Sequence, residues 1–416
     1  LAHNGIYQIF SAFRNNELDY KSFYQTIDDK EAFSNLRSLL KTSNSEFVSN
    51  DVFDVTRQIT YPGDDKSYNV MLITVESLSA SYFTQFGNTK HNITPNLDTI
   101  AKQSLFFTNF YATGTRTVRG MEALTLSLPP TPGYSIVKRP NNEGLFTLGN
   151  VLKSKGYESN FIYAGNGYFD NMNYFFENSG YNIVDRKAFV DEEITHENAW
   201  GVCDEDLFAK ATQVADSAYK AGKPFHNFIM TTSNHRPYTY PDGKIDIPSH
   251  SGRKGAVKYT DYAIAKFLRE AKKHAWFKNT IFVIVGDHCA SSAGKTSLPV
   301  TKYHIPLIVY APEIIQPKEN SSLSSQIDFA PTIMGLLNMD YKSKFFGKDI
   351  LHDKPNRALL GTYQKIGLLR NGQLTVQLPT MLTEAYQVIN QEQTAKDLDK
   401  QELKDAITYY QTASYL

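Results

Sequence analysis

Six runs of nearly unbroken apolar residues punctuate this chain. They are VMLITVES at 70–77, LFFTNFYAT at 105–113, YESNFIYAG at 157–165, PFHNFIMTTS at 224–233, TIFVIVG at 280–286 and IPLIVYAP at 305–312. A strand with one wet face alternates apolar and polar residues. Strands this apolar must be covered on both faces, the condition of a parallel sheet layered by helices. The intervening segments supply those helices. TPNLDTIAKQS at 94–104 offers Thr94 as N-cap and Pro95 at the first helical position. LFTLGNVLKSKG at 145–156 is amphipathic and closes on Gly156, and YTDYAIAKFLREAKKH at 259–274 precedes the run at 280–286.

The pattern predicts an α/β fold, a mainly parallel sheet between helices, over residues 66–353. From about 354 the character changes. LLGTYQKIGLLRNGQLTVQL carries Asn-Gly between two apolar runs, a hairpin signal, and AKDLDKQELKDAITYYQTAS reads as a terminal helix. Residues 354–416 are therefore expected to form a small C-terminal antiparallel α+β subdomain. Upstream, GIYQIFSAFRNN and KEAFSNLRSLLKTS step apolar residues by three and four before the turn-rich YPGDDKSYN. Residues 1–65 read as a helical linker or arm.

Composition narrows the function. Lys+Arg and Asp+Glu number 43 each, so the basic footprint of a nucleic-acid binder is missing. No run of 18 apolar residues occurs to span a bilayer. The chain opens on Leu1 rather than Met, and the expectation is a domain preceded by a membrane region. Cys203 and Cys289 show no disulfide framework or zinc spacing. Either they pair in an oxidising compartment or they are two separate buried small hydrophobes.

Ligands of open parallel sheets gather at the carboxyl ends of the strands. Here those ends carry Glu76, then Asn166 and Asp170, then His235, then Asp287 with His288. Each residue alone has an ordinary explanation, such as a helix-start acid or a loop histidine. An acid placed straight after a buried strand is harder to explain without a partner, because burying an ionised carboxylate unpaired is costly. Carboxylate and imidazole recurring at several strand ends point to one divalent cation of the Mn2+, Mg2+ or Zn2+ kind. A second feature is YATGTRTVRGMEALTLSLPP at 111–130, where Thr113, Thr115 and Thr117 interleave with Arg116 and Arg119 before a helical run. A hydroxyl at a helix start beside arginines suits covalent catalysis on an anion. The plain alternative is a polar loop with an ordinary cap.

NVMLITVESLSASYF with ITPNLDTIAKQSLFFTNFYA, then YHIPLIVYAP, SQIDFAPTIMGLL and GKDIL, resemble sulfatases and other members of the alkaline phosphatase superfamily from about residue 68 to 352. Two departures narrow the branch. Glu76 is a single acid followed by Ser77, where sulfatases pair two acids. TRTVRG replaces the C/S-x-P-x-R element whose Cys or Ser becomes formylglycine. A lone Glu, a Thr and a late Asp-His resemble instead the lipoteichoic acid synthase branch, phosphoglycerol transferases with relatives that decorate periplasmic glucans.

The resemblance implies a sulfatase-like fold with one catalytic metal, Mn2+ before Mg2+ or Zn2+. It implies Glu76, Thr117, Asp287 and His288 as metal ligands and Thr117 as nucleophile, with Thr115 the fallback. His235, in SNHRPY, matches a histidine that contacts the phosphoglycerol. Asn166, Asp170 and Asn173 lie where the synthases carry a tryptophan–arginine pair, which is absent from that stretch. Arg119, Lys295 and His304 are the expected neutralisers of phosphoryl oxygens. The implied activity moves phosphoglycerol, or a related phospho-head-group, from a phosphatidylglycerol-like membrane phospholipid to an envelope glycan or polymer, through a phosphothreonine. The implied place is extracytoplasmic, periplasmic or on the outer face of the membrane, in a protein tethered through its N-terminal side. The alternatives are a phosphodiesterase or sulfatase-type hydrolase, and a catalytically silent envelope binding protein.

Overall fold

The computed structural model describes residues 18–292 and 298–415. Its centre is a sheet whose strands we number β1 (Asn69–Val75), β2 (Leu105–Tyr111), β3 (Glu158–Tyr163), β4 (Asn182–Val184), β5 (Phe225–Met230), β6 (Thr280–Gly286), β7 (His304–Tyr310) and β8 (Lys318–Asn320). Their order is β8-β2-β7-β6-β1-β5-β3-β4, with Ser324–Ser325 paired beside β2.

Five of the runs read as parallel strands do point one way, but the sixth, β7, runs antiparallel to both β6 and β2. A parallel return needs a crossover of a dozen or more residues, usually through a helix. After β6 the chain re-enters the sheet at the edge it left, so β7 must run back. The sheet is therefore mixed and mostly parallel.

Both faces are buried, as the apolar runs require. Val70, Leu72, Phe161, Phe228, Val283 and Val285 face one core, while Met71, Ile73, Ile162, Ile229, Phe282 and Ile284 face the other. Each such side chain removed from water contributes about 1.5–3 kcal/mol, so the central strands are fixed in register. That register matters for the site. Gly286 pairs with Val75 and Thr74 with Met230, so residues 76, 231 and 287 leave the sheet side by side.

Four helices are used below: α1 (Pro95–Lys102), α2 (Thr117–Leu126), α3 (Asp204–Lys220) and α4 (Arg253–Ala271). Pro95 takes the first position of α1 as expected, whereas the Thr94 hydroxyl donates to the Tyr82 carbonyl and makes no capping bond.

The C-terminal part is a five-stranded antiparallel sheet, from Arg357–Gly361 to Glu392–Ala395, backed by the helix Lys400–Tyr415. Its second and third strands meet across Asn371 and Gly372, at φ 52° and 69°. Both central residues of this turn are left-handed, which is why Asn-Gly is the right dipeptide.

The described part of the segment read as a helical linker or arm, from residue 18 on, packs against the C-terminal part. The run GIYQIFSAFRNN lies outside the described residues, but the second predicted helix is present at Asp29–Leu40. Its Phe33, Leu36 and Leu40 bury against Tyr409, Tyr410 and Ala413 of the terminal helix. Strands Ser45–Phe47 and Arg57–Ile59 follow, and the latter pairs with Tyr341–Ser343.

Candidate active site

The site forms where β1 and β6 end. Ser77 turns the chain straight after Glu76 in a left-handed conformation, φ 53°, a strain that non-glycine residues accept where surrounding bonds over-determine it. Here the Ser77 N–H donates to Asp287 Oδ1 at 2.7 Å and its hydroxyl to Glu76 Oε1 at 2.6 Å. Asn234 adds a bond from Nδ2 to the Glu76 carbonyl at 2.6 Å. Gln326 ties the other strand end down, donating to the Gly286 and Asp287 carbonyls at 2.9 and 2.8 Å and accepting from the Thr113 N–H at 2.9 Å.

The resulting cluster is buried. One ligand atom each from Glu76, Asp287 and His288 lies within 4.8 Å of the others. His288 Nδ1 lies 2.9 Å from the Cys289 carbonyl, which fixes the proton there and leaves Nε2 to face Glu76 Oε1 at 3.8 Å and Asp287 Oδ2 at 3.5 Å. Asp287 Oδ2 is buried without a hydrogen-bond partner. An orphaned carboxylate oxygen facing a second carboxylate and an imidazole nitrogen is the donor set of a divalent cation, so these residues fit the metal the sequence implied.

The three side chains shift one another's titration. Burial first, then the Glu76 charge, pushes Asp287 above the usual carboxylate range. Burial works against His288, but Asp287 and Glu76 outweigh it and hold the imidazole above its ordinary value. Glu76 is held low, because His288 and His235 together with the Ser77 hydroxyl overcome its own burial.

Thr117 is the first residue of α2, and its hydroxyl donates to Glu76 Oε2 at 3.2 Å. Thr113 is committed elsewhere, to the Arg119 carbonyl at 3.2 Å. Helix α2 approaches so closely because residue 120 is glycine. A Cβ there would stand 2.5 Å from the Asp287 carbonyl oxygen. Gly120→Ala is expected to cost about 1–3 kcal/mol as an overpacked contact and to weaken metal binding, read as a lower urea midpoint and a raised Kd for Mn2+.

A narrow pocket opens beside Thr117 and Glu76. Its walls are Tyr163, Phe169, Met172, Trp200 and Met230, with Asp170, Thr231, Thr232 and His235 supplying polar groups. The His235 ring stacks on Trp200 with centroids 3.5 Å apart, and its Nδ1 is buried without a partner. Burial holds His235 below its ordinary value, with Glu76 opposing and the Arg253 charge assisting.

Trp200 was not singled out from the sequence. It sits in a hairpin pressed onto the end of β3, where a Cβ on Gly201 would meet the Ala164 carbonyl at 2.2 Å. The signal was available, since one of only two tryptophans in the chain lies within the polar stretch HENAWG.

The remaining expected residues divide. Asp170 is on the pocket wall, paired with Lys138 at 2.5 Å. Asn166 is exposed and outside that wall, its side chain accepting from the Tyr168 N–H. Asn173 is spent on Asp185 at 2.8 Å. Two residues do not do what was expected. Arg119 is buried, bonded to Glu122 at 2.9 Å and to the Thr131 and Gly133 carbonyls at 2.6 and 2.7 Å, so its guanidinium braces a loop. His304 has both nitrogens engaged, by the Thr108 carbonyl and by Gln391, each at 2.9 Å, and its ring packs on Phe86 and Tyr111. Lys295 lies outside the described residues. Cys203 and Cys289 are separate buried free thiols.

Comparison with known proteins adds to this geometry. A family model described as Sulfatase matches residues 68–339. Lipoteichoic acid synthase 2 of Bacillus subtilis is 25% identical over 396 residues, covering 88% of this chain and 58% of its own length. Phosphoglycerol transferase I of Xanthomonas axonopodis pv. citri is 26% identical over 317 residues, 70% of this chain and 44% of its own. The chain thus spans about half the length of these curated relatives. A crystal structure of an alkaline phosphatase superfamily protein from Vibrio parahaemolyticus superposes with a TM-score of 0.88 at 32% identity, covering 95% of this chain and 97% of that one. The lipoteichoic acid synthase LtaP from Listeria monocytogenes shares the fold, with a TM-score of 0.70 at 21% identity over 92% and 96% of the two chains.

Proposed function

This chain belongs to the sulfatase family, and from that premise we propose that it is the catalytic domain of a metal-dependent phosphoglycerol transferase. The donor is a phosphatidylglycerol-like phospholipid and the acceptor an envelope glycan or polymer. The observation that carries this reading is Thr117. A threonine hydroxyl, not a convertible Cys or Ser, stands at the N-terminus of α2, bonded to Glu76 beside the orphaned Asp287 Oδ2. The names of the relatives, a lipoteichoic acid synthase and a phosphoglycerol transferase, support the same chemistry.

Glu76, Asp287 and His288 would hold the cation, with Thr117 as its neighbour. Bound there, a divalent ion such as Mn2+, or Mg2+ or Zn2+ in its place, lowers the pKa of the threonine hydroxyl and offsets charge on the phosphoryl oxygens. The protein's own groups do the rest. Thr117 Oγ1 attacks phosphorus, the bond to the lipid oxygen breaks, and diacylglycerol leaves with the proton lost from the hydroxyl. An acceptor hydroxyl then attacks the same phosphorus and frees Thr117. The apolar pocket of Tyr163, Phe169 and Trp200 excludes water around the ester, and the positive end of the α2 dipole favours the anion. His235, held below its ordinary value by burial, and Asp170 would hydrogen-bond the glyceryl hydroxyls, with the exposed Asn166 outside the pocket wall.

Among the described residues no helix is long and apolar enough to cross a membrane. An envelope glycan or polymer as acceptor goes with an extracytoplasmic domain, on the outer face of the membrane or in the periplasm. The test is incubation with fluorescent phosphatidylglycerol and Mn2+. Diacylglycerol release with phosphoglycerol recovered on Thr117 supports the proposal. Free glycerol phosphate made at the full rate with every acceptor present makes the enzyme a hydrolase, and no release at all leaves only a binding protein.

A further inference from the structure

The mechanism above makes no use of Arg253. Arg253 is the first residue of α4, and Lys254 follows it, with no acidic residue in that first turn. The N-terminus of a 19-residue helix is the positive end of its dipole, where cations are disfavoured and an anion is favoured. Arg253 Nη1 is also buried with no hydrogen-bond partner, and among the described residues no carboxylate pairs with it. A buried, unpaired guanidinium nitrogen is costly unless something anionic visits it.

The surroundings say where that anion would sit. The guanidinium lies over the Tyr238 ring, 5.2 Å from its centroid. Tyr238 belongs to the loop that carries His235. Its N–H donates to the His235 carbonyl at 2.7 Å, and its own carbonyl accepts from His250 at 3.1 Å. It is held at φ 64°, an outlying conformation for a bulky residue that two backbone bonds over-determine. Through that loop Arg253 adjoins the pocket wall, where the His235 ring stacks on Trp200. Arginine suits such a role because its planar fork matches two phosphoryl oxygens at once.

We propose that Arg253 is a substrate-binding residue that takes an anionic phosphoryl oxygen at this site, presented by the start of α4 and the strained Tyr238 loop. It would supply the cationic contact that Arg119, locked onto Glu122, does not. The proposal rests on the phosphoryl-transfer reading above. The oxygen belongs either to the donor phosphodiester or to a phosphate on the acceptor.

The test uses Arg253→Met and Arg253→Lys, with the exposed neighbour Lys254→Met as control. Inorganic phosphate is titrated calorimetrically into the Mn2+-loaded protein in a Thr117→Ala background, so binding is read without turnover. Arg253→Met is expected to raise the phosphate Kd at least tenfold, Arg253→Lys by an intermediate factor, and Lys254→Met by less than twofold. An unchanged Kd in Arg253→Met overturns the proposal, as does equal weakening by Lys254→Met or a parent protein that binds no phosphate. If Arg253→Met fails to fold, the lysine variant decides alone, because it keeps the charge but loses the fork. With Thr117 present, diacylglycerol release without acceptor separates the sources. A matching fall in release assigns the oxygen to the donor, while intact release with failed transfer assigns it to the acceptor. Because phosphate binding needs no phosphatidylglycerol turnover, a failed transferase reading and a failed Arg253 proposal give different results.

Discussion

Thr117→Ala is expected to lower diacylglycerol release from phosphatidylglycerol by about 10⁴-fold or more, the scale seen when a covalent nucleophile is removed. That factor corresponds to roughly 5.5 kcal/mol of barrier. The structural cost is far smaller. The hydroxyl makes one bond, to Glu76 at 3.2 Å, and a lost hydrogen bond contributes about 0.5–1.5 kcal/mol. The two effects are therefore separable in one preparation, with near-normal melting and near-zero turnover. Metal affinity should stay within a few-fold, since Glu76, Asp287 and His288 remain. Digestion of the wild-type protein quenched during turnover should yield a phosphoglyceryl-threonine peptide covering 111–130. Retained activity in Thr117→Ala would move the nucleophile to Thr115, because the Thr113 hydroxyl already serves the Arg119 carbonyl.

The strands and the metal cluster were readable for the same physical reason. A strand buried on both faces gives an apolar run with an abrupt end, and the residue after that end must account for its charge. Glu76 and Asp287 stood out on that basis, and the register Gly286 to Val75 puts them side by side. What sequence could not show was where a polar side chain spends its hydrogen bonds. Arg119 precedes Glu122 by three positions on one helix, a spacing that allows an ion pair as readily as an anion site, and the buried loop carbonyls settled it. His304 heads a strand that runs backward, which brings it to the edge of the sheet where the site lies. There its two nitrogens brace Thr108 and Gln391.

Long-range partners were equally hidden. The helical period of Asp29–Leu40 was legible, but the face it buries belongs to Tyr409 and Tyr410, hundreds of residues later. Trp200 and Arg253 escaped notice because each stands in a loop or at a helix start, where no periodicity marks it. Each became visible through a non-local contact, Trp200 by stacking on His235 and Arg253 by lying over the Tyr238 ring with its Nη1 lacking a hydrogen-bond partner.

The metal-free protein is expected to lose stability as pH rises from about 5 to 8, and added Mn2+ to restore more at pH 8 than at pH 5. Asp287 is raised above its ordinary value by burial and by the Glu76 charge. Native Asp287 therefore holds its proton more firmly than the unfolded chain does. Its contribution is full below the ordinary carboxylate value of about 4 and is lost as pH climbs through the raised native value. His288 is also raised overall, by Asp287 and Glu76 against its burial. Its contribution is full below the ordinary imidazole value near 6.5 and is lost above that, in the same direction. Glu76 is held low, so its contribution would be lost only toward more acid pH, outside this window. A bound cation reverses the balance, because it needs both carboxylates ionised and His288 neutral, and every proton it displaces at low pH weakens it. At 100 times Kd, the metal adds about 2.7 kcal/mol. Melting curves with EDTA and with Mn2+ at pH 5, 6, 7 and 8 give the difference directly. The gap should widen with pH in the native sequence and shrink at every pH in Asp287→Asn, which keeps the shape of the side chain without its charge. A gap that stayed flat from pH 5 to 8 would mean that Asp287 and His288 do not bind the ion through their ionisable groups.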